Sequence, residues 1–152
     1  MSHGVNTPEL RPDPSWDQLL TAELAQSAGN GCVGTELVSE TERVRVWCLR
    51  LRPGQRIGFH RHALDYFWTV ISDGVARSHY NDGRSVETTY RSGDTRDMTF
   101  PSGQSMIHDL ENIGDTELLF TTVEFLKSAN PALAIPDLVR RSTTVEPANV
   151  VS

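Results

Sequence analysis

His60 and His62 stand one residue apart, and His108 is the last histidine of the chain. If residues 60–62 form a β-strand, both imidazoles leave the same face, about 6–7 Å apart along the chain. Neutral imidazole is a common ligand of divalent transition metals, and a third ligand from another strand would complete a site. His108 is the candidate, because it too lies in a strand-like run. Such histidines can also be exposed or hydrogen-bonded, so spacing alone leaves both interpretations open.

The elements that must position these histidines are short strands. From residue 33 to residue 126, runs of β-branched and aromatic residues alternate with glycine-containing turns, which is typical of an antiparallel sandwich or barrel. We predict nine strands, over residues 33–39, 43–52, 57–62, 66–72, 75–80, 84–90, 95–100, 105–111 and 116–126. The third strand then carries His60 and His62, and the eighth carries His108.

The two ends of the chain do not follow this pattern. Residues 1–12 contain prolines and no periodicity, which predicts an N-terminal arm. A capping box of Ser15 and Gln18 predicts a helix over 15–28, whose apolar stripe is formed by Trp16, Leu19, Leu20 and Leu24. We expect one domain over residues 13–130, with its barrel over 33–126. Residues 131–152 are predicted to form a tail with a short helix near 137–141.

Composition narrows the classes of partner. The chain has 152 residues, which suits one domain, and a net charge of -6, which disfavours nucleic acid and anionic membranes as partners. Its start lacks the apolar segment of a secretory signal, and no apolar run is long enough to span a membrane, so we expect a cytoplasmic protein. Cys32 and Cys48 are then expected to be reduced thiols.

Two segments carry a family resemblance. The sequence GQRIGFHRH at residues 54–62, followed by Gly74, resembles the first motif of the cupins. The second motif is longer than the family pattern at two spacings, but it is similar at Gly93, Pro101, Gly103, His108 and Asn112. The resemblance implies an all-β, single-domain cupin, a jelly-roll β-sandwich barrel with a short N-terminal helix. It also implies one divalent metal ion bound by His60, His62 and His108.

The first motif departs from the family at its carboxylate ligand. Counting back from Gly74, Phe67 stands where cupins have a glutamate, and no Glu occurs between His62 and Gly74. The resemblance therefore implies a three-histidine site, unless Asp65 supplies a carboxylate. Three neutral nitrogens suit Fe(II), Zn(II), Ni(II) or Cu(II). This ligand set is similar to that of thiol dioxygenases and β-diketone-cleaving dioxygenases, and residues 42–46 and 60–66 are similar to small cupins associated with β-alanine breakdown.

A hairpin at Asp73-Gly74 would determine which side chains line the barrel. Strands 66–72 and 75–80 would then pair, and opposed residues would share a face. With Phe67 inward, the residues predicted to line the interior are Phe67, Thr69, Ile71, Ala76, Ser78 and Tyr80, and alternation around His108 adds Met106 and Leu110. Trp68, Arg77 and His79 would face outward, so His79 would not be a ligand. Core packing is the alternative role for each apolar lining residue.

Arginines cluster in the first half of the barrel, at positions 43, 45, 50, 52, 56 and 61. Such side chains can bind a substrate carboxylate bidentately, or they can form surface ion pairs. Arg43 and Arg45 share a strand face with Trp47, so one of them could reach the pocket mouth. The other face, with Val44, Val46 and Cys48, is also apolar. Because both faces need cover, we expect a homodimer.

These observations favour a metal-dependent enzyme that acts on a small organic molecule, first of all a non-haem Fe(II) dioxygenase. One alternative is a lyase, isomerase or hydrolase with Zn(II) or Ni(II) as Lewis acid, in which Tyr80 or Asp65 moves the proton. Another alternative is a small-molecule-binding protein without turnover, because the cupin fold does not determine function.

Overall fold

The computed structural model describes residues 7–141, so residues 1–6 of the predicted arm and 142–152 of the predicted tail lie outside it. One helix, α1 (Gln18–Ala25), precedes the strands. The strands are β1 (Glu36–Glu40), β2 (Val44–Leu51), β3 (Arg56–His62), β4 (Tyr66–Val70), β5 (Gly74–His79), β6 (Ser85–Tyr90), β7 (Thr95–Met98), β8 (Met106–Asn112) and β9 (Leu118–Phe125). A short 3-10 helix at Asp137–Val139 follows them. All nine predicted strands are present.

Two antiparallel sheets form the barrel, with strand orders β1-β2-β9-β4-β7 and β3-β8-β5-β6. The core between them draws residues from both sheets, because alternate side chains of each strand point inward: Leu49, Leu51, Val70, Leu118 and Phe120 from the first, Ala76 and Leu110 from the second. The predicted jelly-roll β-sandwich with one short N-terminal helix is confirmed. Within residues 7–141, no helix is long and apolar enough to cross a membrane. Cys32 and Cys48 are free thiols.

Helix α1 is shorter than predicted. Asp17, rather than Ser15, caps it, since the Asp17 carboxylate accepts a hydrogen bond from the Leu20 backbone N–H at 2.8 Å. The helix packs on the outer side of β3 and β8, where Leu24 joins Phe59 and Ile107 in a second apolar cluster. Its Glu23 carboxylate accepts from the Phe59 backbone N–H at 2.8 Å, which ties the helix to the strand of His60 and His62.

The hairpin predicted at Asp73-Gly74 is wrong. β4 pairs with β7 and β9 in the five-stranded sheet, whereas β5 pairs with β6 and β8 in the other. The chain therefore crosses between sheets after Val70, and no register links β4 to β5.

The facing predicted for β4 is consequently inverted. Phe67 contacts Phe125 with ring centroids 6.1 Å apart, the Thr69 hydroxyl bonds that of Thr95, and Ile71 is 48% exposed. The facing predicted for β5 agrees with the structure, although it was derived from a hairpin that does not form. Ala76 and Ser78 are buried inside, and His79 points outward onto Trp16.

Candidate metal centre

The pairing of β3 with β8 brings the three predicted histidines together. His60 lies opposite His108 in the register of the two strands, and His62 shares the face of His60. Ring nitrogens of the three side chains all lie within 4.8 Å of one another, and Nε2 of His62 is 3.1 Å from Nε2 of His108. This cluster can hold one metal ion.

The hydrogen bonds of the rings leave nitrogens free for a ligand. His60 Nδ1 lies 2.8 Å from the Gly58 carbonyl oxygen and donates to it, so the lone pair of Nε2 is free. Nδ1 of His62 and Nδ1 of His108 are buried and have no hydrogen-bond partner within residues 7–141. Unsatisfied buried nitrogens are costly in an apolar setting, and a bound ion would use this donor set.

Burial keeps the imidazoles neutral. It lowers the pKa of His60 to about 4, and it lowers the pKa of His62 and His108 well below the ordinary value. The neighbouring imidazoles add to the effect at His62 and His108, because positive charges at such short range repel. Neutral imidazole is the form that ligates a metal, so the three rings need no proton loss near neutral pH.

No carboxylate completes the cluster. Among the described residues, no Asp, Glu or Cys joins the three histidines. Asp65 is held elsewhere, because its Oδ1 accepts from the Phe100 backbone N–H at 3.0 Å and its own N–H donates to the Ser128 hydroxyl. The structure thus does not place Asp65 as a substitute for the missing glutamate.

The histidines lie beside a small inner cavity that opens into a wide cleft. The inner cavity, of about 50 Å³, is lined by all three histidines together with apolar side chains that include Leu49, Leu110 and Phe120. The cleft, of about 530 Å³, shares four residues with it: Tyr66, Trp68, Tyr90 and His108. A small molecule entering the cleft would meet His108 first.

Some of the residues predicted to line the interior do so in the structure, and others do not. Leu110 lines the inner cavity, and Ser78, Tyr80 and Met106 line the cleft, as their predicted facing requires. Phe67, Thr69 and Ile71 line neither one, because β4 presents its other face. That face supplies two residues that we did not predict, Tyr66 and Trp68. Alternation indicates that Tyr66, Trp68 and Val70 share a face, but it does not show that this face points inward.

Aromatic rings form the walls beside the histidines. Tyr66 stacks on His62 with centroids 4.1 Å apart, and the Tyr80 ring is 5.4 Å from that of His108. Trp68 and Tyr90 meet edge to face at 5.5 Å. The chain has three tyrosines, and all of them line this cleft, so phenolic hydroxyls stand among its polar groups. Burial raises the pKa of Tyr66 and of Tyr90, which keeps both hydroxyls protonated.

The arginines expected near the pocket mouth lie elsewhere. Arg45 is buried behind the barrel, where it pairs with Glu40 at 2.7 Å and donates to the Leu133 carbonyl. Arg43 and Arg45 both lie outside the cleft lining. Arg56 binds Glu23 and Asp109 under helix α1. The arginines that do line the cleft are Arg84 and Arg96, which lie in the second half of the barrel sequence.

Solved structures resemble this fold. A cupin domain from Bordetella pertussis is 31% identical, with a TM-score of 0.50, over 57% of this chain and 85% of its own. A double-stranded β-helix protein from Klebsiella pneumoniae is 26% identical, with a TM-score of 0.50, over 82% and 99%. Oxalate decarboxylase from Bacillus subtilis is 28% identical over 59% of this chain and 23% of its own, but a TM-score of 0.44 is too low to inform activity. No protein-family model and no curated protein matches the chain.

A two-sheet β-barrel with a histidine cluster on its inner face is the architecture at hand. The Bordetella domain shares this fold, is 31% identical to the chain and is covered over 85% of its length. The chain therefore belongs to the cupins.

Proposed function

We propose that this cupin is a metal-dependent enzyme that acts on a small organic molecule, and that it is a non-haem Fe(II) dioxygenase with His60, His62 and His108 as ligands. One observation carries the proposal: three neutral imidazoles converge, those of His60 and His62 buried and that of His108 half-buried, and no carboxylate joins them among residues 7–141. A three-nitrogen set suits Fe(II) and leaves positions for substrate and dioxygen.

The residues around the cluster support this chemistry. The bound ion would supply Lewis acidity and open coordination positions. Gly58 fixes the orientation of the His60 ring through its carbonyl oxygen. Trp68, Tyr90 and Phe120 pack against one another and exclude bulk water from one side of the cavity. The Tyr66 hydroxyl, kept protonated by burial, can donate to an anionic oxygen of a bound substrate.

A Lewis-acid lyase or isomerase with Zn(II) or Ni(II) is the second candidate. Its support is Tyr80, whose ring lies 5.4 Å from that of His108 in the same cleft, where a hydroxyl can move a proton. Asp65, the other residue that we considered for this role, is occupied by the Phe100 N–H. A binding protein without turnover is the third candidate, and it needs the same cleft.

Metal content is the first measurement. Protein purified without chelator is compared with a His60→Ala, His62→Ala double variant, and His79→Gln is the control, because it removes an imidazole that lies outside the cluster. We expect near-stoichiometric iron in the wild type and in the control, and none in the double variant. Oxygen uptake with enolisable carbonyl compounds then tests the dioxygenase.

The outcomes separate the three candidates. Zinc or nickel, with full activity under nitrogen, would replace the dioxygenase by the lyase or isomerase. Metal that is retained by the double variant would disprove the histidine site. A protein that binds one metabolite without consuming it would be the binding module.

A further inference from the structure

One guanidinium in the cleft has no partner among residues 7–141. Arg96 lies on β7, opposite Trp68 in the register with β4, and its side chain lines the cleft. Over residues 7–141, the structure gives Arg96 no ion pair and no hydrogen bond from its side chain. Most arginines of the barrel differ in this respect; for example, Arg50 pairs with Glu117 and Arg77 with Glu87.

The second arginine of the cleft is already engaged. Arg84 pairs with Asp82 at 2.8 Å, and its guanidinium carbon lies 4.5 Å from the centroid of the Tyr80 ring. The cleft also contains Asp94, whose Oδ2 accepts from the Arg91 backbone N–H at 2.9 Å. Of the charged groups that line the cleft, the cation of Arg96 is therefore the one available to an incoming anion.

Arg96 stands on the side of the cleft that leads to the histidines. Trp68, its partner in the β4–β7 register, lines both the cleft and the inner cavity. The charge of Arg96 also acts on the hydroxyls of Tyr66 and Tyr90, where it opposes the rise in pKa that burial causes. Both tyrosines line the inner cavity with the histidines. A small molecule can thus contact Arg96 with one end while its other end faces His108.

We propose that Arg96 binds a carboxylate of the substrate, so that the substrates are small oxo- or hydroxy-carboxylic acids whose carbonyl end faces the histidines. A guanidinium binds a carboxylate with two parallel hydrogen bonds, which gives orientation as well as affinity. The inference rests on the proposed function, because it takes the three-histidine cavity as the place of reaction. It narrows the enolisable carbonyl compounds considered above to those that carry a carboxylate.

A matched pair of probes tests this inference. The compounds 4,6-dioxoheptanoate and its methyl ester share the same diketone and differ in charge at the other end. Calorimetric titration into metal-loaded protein under nitrogen compares wild type, Arg96→Gln and Arg91→Gln. Arg91 is the control, since it is exposed beside the same edge strand but does not line the cleft. We expect the wild type and the control to bind the acid at least about tenfold more tightly than the ester.

In Arg96→Gln that preference should disappear, whereas thermal unfolding should be unchanged because Arg96 is exposed on an edge strand. Equal binding of acid and ester by the wild type, a preference that survives in Arg96→Gln, or no binding of the acid would each overturn the inference. Metal content, measured on the same samples, reports separately on the proposed function. Wild-type protein that takes up no metal but still prefers the acid, with that preference lost in Arg96→Gln, would overturn the metal centre and leave the carboxylate site at Arg96 standing.

Discussion

The Asp109 carboxylate lies 2.7 Å from Nε of Arg56, on the opposite side of β8 from His108. Asp109 is wholly buried, and its other oxygen accepts from the His79 backbone N–H at 2.6 Å. Arg56 in turn binds Glu23 on helix α1. A charged network therefore holds the strand that carries His108 from behind, and it joins that strand to the helix.

We expect Asp109→Asn to lower the free energy of unfolding by about 2–4 kcal/mol, because it leaves Arg56 and His79 without a buried anion. Urea unfolding measures the loss. Glu111→Gln is the control: it lies on the same face of β8 but is half-buried, and it pairs with Arg77 only at 3.6 Å, so it should cost less than about 1 kcal/mol. Similar small losses in both variants would show that the network contributes little.

Removing the hydroxyl of Tyr80 should lower kcat, whereas removing the charge of Asp65 should leave it nearly unchanged. Tyr80→Phe takes a hydroxyl out of the cleft and should lower kcat by about 10²-fold or more if that group moves a proton, with metal content unchanged. Asp65→Asn should leave kcat within about twofold and cost about 1 kcal/mol of stability at most, since the amide oxygen can still accept from Phe100. Steady-state kinetics on both variants checks this, and the reverse order of effects would contradict it.

Glu124 should make stability fall as pH rises. Burial raises its pKa to about 7 from an ordinary 4.5, although the Trp47 indole N–H donates to it at 2.8 Å. Its folded-state pKa lies above the unfolded one, so its contribution is complete below about pH 4.5 and is lost as pH rises through about 7. The loss should be about 2–3 kcal/mol.

Urea unfolding between pH 5 and 8 measures this effect as the difference between the wild type and Glu124→Gln. The difference is the informative quantity, because the buried histidines are common to both proteins and contribute with the opposite sign. We expect the wild type to lose stability relative to the variant as pH rises. A constant difference across that range would mean that Glu124 titrates as an ordinary carboxyl.

A homodimer remains our proposal for the outer face of the five-stranded sheet. Val123 on β9 lies in register with Val46 on one side and with the outward-facing Phe67 on the other, and Phe125 beside it is 42% exposed. We expect light scattering to give twice the 16.9 kDa of one chain, and Val123→Glu to give a monomer. Leu19→Glu, at an 84% exposed position on α1, should remain dimeric. A wild-type monomer would refute the proposal.

Local patterns were sufficient to predict the strands and the histidines. Alternation along β3 placed His60 and His62 on one face, and glycine-containing turns marked six of the eight boundaries between strands to within a few residues. The facing of β4 could not be read in this way, because it depends on pairing with β7 and β9, far away in the chain. Arg96 was missed for the same reason: it lies in the predicted strand 95–100, but only the pairing of β7 with β4 brings it to the cleft.

The alternation of β8 has a consequence for how this chain can change in evolution. His108 and Asp109 are neighbours that serve opposite faces, one toward the cavity and one toward the helix. A single-residue insertion or deletion in the turn at 102–105 that shifted β8 by one position would turn every side chain of the strand to the other face. In one direction Asp109 would stand among the imidazoles and Leu110 beside Arg56; in the other, His108 would stand beside Arg56 and Ile107 in the cluster. Substitutions in that turn should accumulate among homologues, whereas its length should stay constant or change by two.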